Sequence, residues 1–453
     1  MIIVWKRGVV MSRFNSAVDK NRELILNTLD YVWKNPETGY REVKTSKYLE
    51  EVFESLGYEV IRAEGITGFY TELDTGREGP TLLILGELDS LICTEHPDCD
   101  PETGAVHCCG HAAQCAALVG VAAALKEEGV LDGFSGKIRL CAVPAEELIE
   151  IEFRNELKAK GIIKYLGGKP EFLYRGYFDG VDLAFMVHTS SGKGFGVNIG
   201  NVGCVAKKVI YKGRSAHAGG APWDGVNALY AANQGLSAVN SIRETFMEDD
   251  IIRVHPIITK GGSAVNAIPD TVIIESYVRG KSFNAIKRAN EKVNRAFAGA
   301  ALSLGANLEI VDIPGYAPLY NAPDMITAAN EALQNSVGES LWESHSYSSG
   351  STDMGDLSAI MPVIHPYASG AVGMAHGADY FIQNPERACV DSAKWQLELA
   401  RVLLSGGAER AKKIVADYKP LFASKEEYFE YIDTISCDGD RIVYSDGKAE
   451  VNL

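Results

Sequence analysis

The chain has 453 residues, 46% hydrophobic and 23% charged, close to soluble globular averages, so disorder, collagen-like repeats and coiled coil are excluded as descriptions of the whole. Its 60 acidic and 44 basic side chains leave a formal charge of −16, a field that repels a phosphate backbone and disfavours nucleic acid as a partner. At roughly 150 residues per domain, the length predicts two or three units.

In chain order, the apolar start Met1-Ile2-Ile3-Val4-Trp5 precedes Lys6-Arg7, the wrong order for a secretory signal; residues 1–10 read as an extension ahead of a second possible start at Met11. Over 21–56, Ile25, Leu29, Val32 and Trp33, then Leu49, Val52 and Leu56, recur at helical spacing with a break at Asn35-Pro36, which predicts two helices. Short β-rich runs at 58–62 and 68–73 follow. The nearly continuous apolar run 81–85 predicts a strand buried on both faces. A helix is expected over 111–128, with Leu118, Val121 and Leu125 on one stripe, and further buried strands at 137–143 and 181–187. This alternation predicts an α/β sheet with helices on both faces.

Residues 202–314 change rhythm: strand 202–211, helix 224–246, strands 251–259 and 271–278, helix 282–303 and strand 308–313. That is the β-α-β-β-α-β order of a small self-contained sandwich. It reads as a domain inserted into a unit split between 11–201 and 315–453. After Pro314 come helix 322–335, a Ser/Gly-rich loop at 346–352, an apolar run at 360–364 and helix 389–416; residues 417–453 are polar and weakly patterned. No run of about 18 apolar residues exists, so no membrane span is expected. The nine cysteines are an odd number without framework spacing, which fits a reducing, cytoplasmic location.

Three buried-strand candidates run into polar groups: 81–85 into Glu87 and Asp89, 137–143 into Glu146 and Glu147, and 181–187 into His188. In open α/β sheets, ligands bind at the carboxyl ends of strands, so these groups can converge in one crevice. The motif His107-Cys108-Cys109-Gly110-His111 places a thiol and an imidazole two residues apart at a helix mouth, a pairing suited to a borderline divalent ion; a buried cysteine beside a helix-start histidine fits equally. Cys93, Cys99, Cys108, Cys109 and Cys115 lack the C-x-x-C spacing of a structural zinc site. Adjacent Glu146 and Glu147 suggest a division of labour, one a metal ligand and the other a base; a solvated acidic turn is the alternative. His217, in Ser215-Ala216-His217-Ala218, and His376, in Met374-Ala375-His376-Gly377, each sit in small-residue loops where a histidine can simply be exposed.

Taken together these segments resemble the superfamily of two-metal aminoacylases, acetylornithine deacetylases and carboxypeptidases, in particular its amidohydrolase branch of auxin-conjugate hydrolases and aminobenzoyl-glutamate utilisation proteins. The matching pieces follow the family's order: Asn35-Pro36-Glu37 with Glu42, Gly86 to Leu91, His107 to His111, Pro144 to Glu147, Val187-His188, Gly213 to Leu229, Asn266 to Asp270, and Gly373 to His376. The resemblance implies a mixed-sheet di-metal catalytic domain carrying an inserted lid and dimerisation domain.

It further implies that Cys109, His111, Glu147, His188 and His376 hold two divalent ions, zinc or manganese with cobalt or nickel as alternatives, and that Cys109 bridges them. Glu146 becomes the general base, Asp89 supports the ligands from behind, and His217 stabilises the oxyanion; Asn266 and, more weakly, Arg279 bind substrate. The activity implied is hydrolysis of the amide of N-acyl amino acids, amino-acid conjugates or dipeptides by a metal-activated water, in a homodimer joined through the inserted domain. The alternatives are an exopeptidase of carboxypeptidase type on longer peptides, and a metal-free binding protein on the same fold. The chain departs from the family pattern at Ala112, at Gln114, at Glu87 in place of aspartate, in the long 92–106 loop and in an expanded 148–180 segment, which bear on substrate identity.

Overall fold

The computed structural model describes residues 12–445 and 448–453; the expected 1–10 extension and the Met11 start lie outside the described residues. The chain forms two compact units, one of residues up to Ile199 with Tyr320–His345 and Met361–Leu421, the other of Gly200–Leu319, Ser346–Ile360 and Phe422–Leu453. Residues 346–360 and 422–453 therefore pack with the segment that the sequence reads as inserted. Both units combine helices with sheets, an α/β fold with mixed strand directions. Among the described residues no helix is long and apolar enough to cross a membrane.

The first unit is built on a six-stranded sheet in the order Ile61–Arg62, Phe69–Asp74, Lys137–Val143, Thr81–Glu87, Leu183–Phe185, Val363–Ile364. Thr81–Glu87 runs parallel to both its neighbours, whereas Phe69–Asp74 is antiparallel to 137–143, so the sheet is mixed. Every residue of Thr81–Glu87 is buried, as its unbroken apolar run requires. Helix His111–Leu125 is likewise buried at all its positions and apolar on every side. At Gly120 a Cβ would lie 2.7 Å from Ile25 Cδ1 and 2.9 Å from Ala393 Cβ, so helices Arg22–Lys34 and Ser392–Leu404 rest directly on its backbone. The two helices expected within 21–56 are Arg22–Lys34 and Val43–Ser55; a further one, Arg13–Lys20, is capped by Ser12, which accepts the Asn15 N–H at 3.2 Å. The single helix expected over 389–416 is divided into Ser392–Leu404 and Glu409–Asp417, because Gly407 adopts φ 77° between them.

In the second unit the elements run Gly203–Lys212, helix Ala228–Ser241, the short pieces Arg253–Val254 and Ile257–Lys260 into which the single strand expected over 251–259 is broken, Thr271–Gly280, helix Phe283–Leu304 and Asn307–Pro314, a β-α-β-β-α-β order once the two pieces are taken as one strand. The long strands are antiparallel, with 203–212 between 271–280 and 307–314. Thr271–Gly280 alternates half-buried and buried residues along its length. Val209, Tyr211, Ile274, Val278, Val293, Phe297 and Ile310 form the core beneath the helices. The C-terminal residues, weakly patterned in sequence, form helix Lys425–Asp433 and strands Cys437–Ser445 and Lys448–Val451; the first strand pairs with 308–312 and extends this sheet.

Candidate metal centre

Strands 81–87, 137–143 and 183–185 are parallel and end on one side of the sheet, where such sheets leave a crevice. The first continues into Asp89, the second into the turn carrying Glu146 and Glu147, the third toward His188. Glu87 and Asp89 are fully buried, and Glu146 and Glu147 are only 7% and 8% exposed, so this is not a solvated acidic turn. Ala145 adopts φ 56°, a left-handed conformation that costs a non-glycine residue about 1–2 kcal/mol and persists only where its surroundings over-determine it. Here two buried carboxylates do so: the Ala145 N–H donates to Glu42 Oε1 at 2.8 Å and the Glu147 N–H to Asp89 Oδ2 at 2.8 Å. Burial, together with the charge of Asp89, pushes the Glu42 carboxyl up to about 8.

Helix 111–125 begins behind Gly110, which sits at φ 99° with Thr189 Cβ 2.9 Å from where its own Cβ would be. Only glycine fits that turn, and it brings Cys109 and His111 to the crevice. The 376 loop is tied to the same place, since the His376 N–H donates to Cys108 O at 2.8 Å and the buried Tyr380 hydroxyl to Cys109 O at 3.3 Å.

The result is two sets of three donors. Cys109, His111 and His188 present ligand atoms within 4.8 Å of one another, and so do Cys109, Glu147 and His376, with Cys109 common to both. Cys109 Sγ lies 3.5 Å from His188 Nε2, and Glu147 Oε1 lies 3.2 Å from His376 Nε2. The ring tautomers follow from backbone contacts. His111 Nδ1 faces Asp89 O at 2.8 Å and His188 Nδ1 faces Thr189 O at 2.7 Å; a carbonyl only accepts, so each Nδ1 carries a proton, and His188 Nε2 presents a lone pair, whereas against burial the Glu87 carboxylate and Cys109 hold His111 well above the usual imidazole range, so its Nε2 must give up a proton to take a cation. Glu87, His111 and Glu146 form a third close group.

The electrostatics fit cations. His111 Nε2 and Glu147 Oε1 are buried without completing a hydrogen bond, although Glu87 Oε2 approaches the former at 3.1 Å. Burial, then the charge of Glu147, push the Cys109 thiol well up, so its thiolate requires positive charge beside it. Burial also opposes ionisation of Glu147, yet the neighbouring His376 pulls that carboxyl down to about 2. Burial lowers His188 and keeps it a neutral donor. A set of sulfur, imidazole and carboxylate donors suits borderline divalent ions, so the residues present fit a metal pair.

Glu87 is matched from within the protein. The buried Lys169 donates to its Oε1 at 2.6 Å and Gln114 Nε2 to its Oε2 at 2.8 Å. Lys169, together with Arg154 behind the glutamate turn, is a residue that sequence reasoning missed; both lie in the expanded 148–180 segment, where no recognisable spacing marks them.

The remaining candidates lie in the second unit. His217 and Asn266 are exposed on neighbouring segments, joined by a bridge between His217 and Ala267 and by the Ala218 N–H to Asn266 O at 2.9 Å. His217 Nδ1 accepts the N–H groups of Gly220 at 2.8 Å and Gly219 at 3.2 Å, leaving Nε2–H as an outward donor. Arg279 is not with them. It sits at the far end of strand 271–280, some ~27 Å along it from Thr271 at strand spacing, and contacts His255 and Ser351 at 3.2 Å each.

Residues 83–401 match the model of peptidase family M20/M25/M40. The chain is 30% identical over 356 residues to the Xaa-Arg dipeptidase of Mus musculus, covering 74% of each protein. It is 30% identical over 266 residues to the indole-3-acetyl-aspartic acid hydrolase of Enterobacter agglomerans, covering 54% of this chain and 55% of that one. A Bacillus subtilis structure described as a dinuclear metal-binding peptidase of the M20 family superposes with a TM-score of 0.64 at 22% identity, over 85% of this chain and 99% of that one, and so shares its fold.

Proposed function

The chain belongs to peptidase family M20/M25/M40, and on that premise we infer that it is a metal-dependent hydrolase of carbon–nitrogen bonds, cleaving the amide of N-acyl amino acids, amino-acid conjugates or dipeptides. The observation that carries this reading is the pair of donor triads sharing Cys109. We assign His111 and His188 to one ion, Glu147 and His376 to the other, and Cys109 to both. Zinc or manganese suits these donors, with cobalt or nickel as alternatives. When bound, the pair supplies Lewis acidity that lowers the pKa of water and polarises an amide carbonyl.

The protein's own groups do the rest. Glu146 is assigned as the general base: it takes a proton from the attacking water and returns it to the departing nitrogen. Its neighbour Glu147 is assigned as a ligand, and the Asp89 carboxylate on the Glu147 N–H supports it by fixing the backbone next to Glu146. Asp89 also faces His111 Nδ1, through its carbonyl at 2.8 Å and Oδ1 at 3.4 Å, which keeps that imidazole turned with Nε2 toward the cations. His217 is assigned oxyanion stabilisation, for which its outward Nε2–H is the correct polarity. Asn266 and Arg279 are assigned to substrate binding, the latter to a carboxylate. Exposed Trp223, Tyr230, Ile257 and Val265 in the second unit support a homodimer through it, and nine free cysteines support a cytoplasmic location.

Elemental analysis and release of free amine from a panel of N-acyl amino acids, dipeptides and tripeptides test the reading together. Two metal equivalents with turnover of the short substrates are expected. A protein that takes up no metal and releases no amine is a binding protein on this fold, and preference for tripeptides makes it an exopeptidase.

A further inference from the structure

Arg154 belongs to helix Ile151–Ala159 in the expanded segment after the glutamate pair, and it is completely buried. Its hydrogen-bond acceptors are all backbone carbonyls, and the guanidinium also lies 5.6 Å over the Tyr40 ring. Nη1 donates to Leu166 O at 2.8 Å and to Ala145 O at 3.4 Å, Nη2 donates to Glu147 O, and Nε has no partner. A buried guanidinium is costly unless its environment is built for it, and here the environment is the turn that carries Glu146 and Glu147. Gly39 is part of that fit, because a Cβ there would run into Nη2. The helix is docked from outside by Arg41, which pairs with Glu150 at 3.4 Å and lies 3.9 Å over the Phe153 ring.

The turn is therefore gripped from both sides. Glu42 and Asp89 hold the N–H groups of Ala145 and Glu147, and Arg154 holds the carbonyls of the same two residues. Glu146 is the residue between those anchors. Left-handed Ala145 and Glu150, at φ 56° and 51°, bracket the segment and need such over-determination. We propose that Arg154 is a positioning residue for the hydrolytic centre, fixing where Glu146 and Glu147 stand relative to each other by binding the backbone on either side of Glu146. The proposal rests on the reading of Glu146 as base and Glu147 as ligand. A planar fork with donors at both ends suits carbonyls in two directions, whereas a lysine ammonium concentrates its donors at one point.

The test compares Arg154→Met and Arg154→Lys with the wild type in the full chain, by steady-state kinetics and by competition with a chromophoric chelator for zinc. In both variants kcat is expected to fall 10–100-fold with KM within threefold, and one of the two zinc equivalents to bind 10–100-fold more weakly while the other is unchanged. Arg154→Lys keeps the charge and most of the volume, so it decides the matter should Arg154→Met fail to fold. Wild-type kcat and zinc affinity in Arg154→Lys, a change confined to KM, or equal weakening of both zinc equivalents would overturn the proposal. A wild-type protein that binds no zinc overturns instead the functional reading beneath it.

Discussion

Replacing Cys109 with serine removes the one donor on which both triads depend. Each triad would fall from three protein donors to two, leaving His111 with His188 and Glu147 with His376. The serine hydroxyl stays protonated at neutral pH and is a poor donor to the ions that thiolate selects. Loss of a group that merely supports a ligand weakens metal binding about 10–100-fold, which sets a floor for loss of a ligand itself. With Cys109 assigned to both ions, that floor is expected to apply twice, about 10²–10⁴ overall or about 2.8–5.6 kcal/mol. The assay is elemental analysis after dialysis, followed by chelator competition on each equivalent. Cys108→Ser is the control, because Cys108 offers its carbonyl to the His376 N–H, a bond that serine retains. Both ions retained at wild-type affinity in Cys109→Ser would refute the shared-donor reasoning; so would their loss in Cys108→Ser.

Glu146→Gln should keep its metal content and lose about 10²–10⁴ in kcat, the usual worth of a general base, and turnover at the wild-type rate would dismiss that role. His217→Ala should lose about 10²–10³ in kcat with metal content unchanged, measured by amine release; an unaltered rate removes it from oxyanion stabilisation. In the second unit the buried Asp356 accepts the Tyr428 hydroxyl and, at 3.4 Å, the Ala317 N–H, and burial pushes its carboxyl up to about 8. The unfolded carboxyl titrates near ~3.9, so between these values the native state holds a proton that the unfolded chain has released. The associated stability is complete below the unfolded value and lost as pH rises through about 8. Urea midpoints from acid to mildly alkaline pH should fall accordingly, and Asp356→Asn should flatten the trend; an identical slope in that variant contradicts the assignment.

The parts of the centre legible in the sequence are those that follow from a buried strand. An apolar run such as 81–85 announces its own burial, and the acids just beyond it must then lie at the strand's carboxyl end. The His107 to His111 motif is legible because ligand spacing and a turn glycine coincide. His188 is legible as a strand-end group facing the same crevice, whereas His376 carries no local signal of partnership; only the resemblance joined either of them to Cys109. Arg154 and Lys169 were illegible for a different reason: a charged residue in a polar stretch reads as surface, and nothing local reveals that its partners are Glu147 O or Glu87 Oε1. The strand Cys437–Ser445 was missed because Ile442 is its one buried residue, too little to create an alternating pattern.

The two triads also differ in access. The His376 side chain is 54% exposed, whereas His111 is fully buried and locked through Nδ1 to Asp89. Of the donors assigned to the two ions, His376 is the most open to water, while on the other side His111 is sealed and His188 is half-buried. On the assignment of one ion to each triad, the ion sharing His376 is expected to exchange the faster, and a protein stripped of one equivalent should keep the one held by His111 and His188.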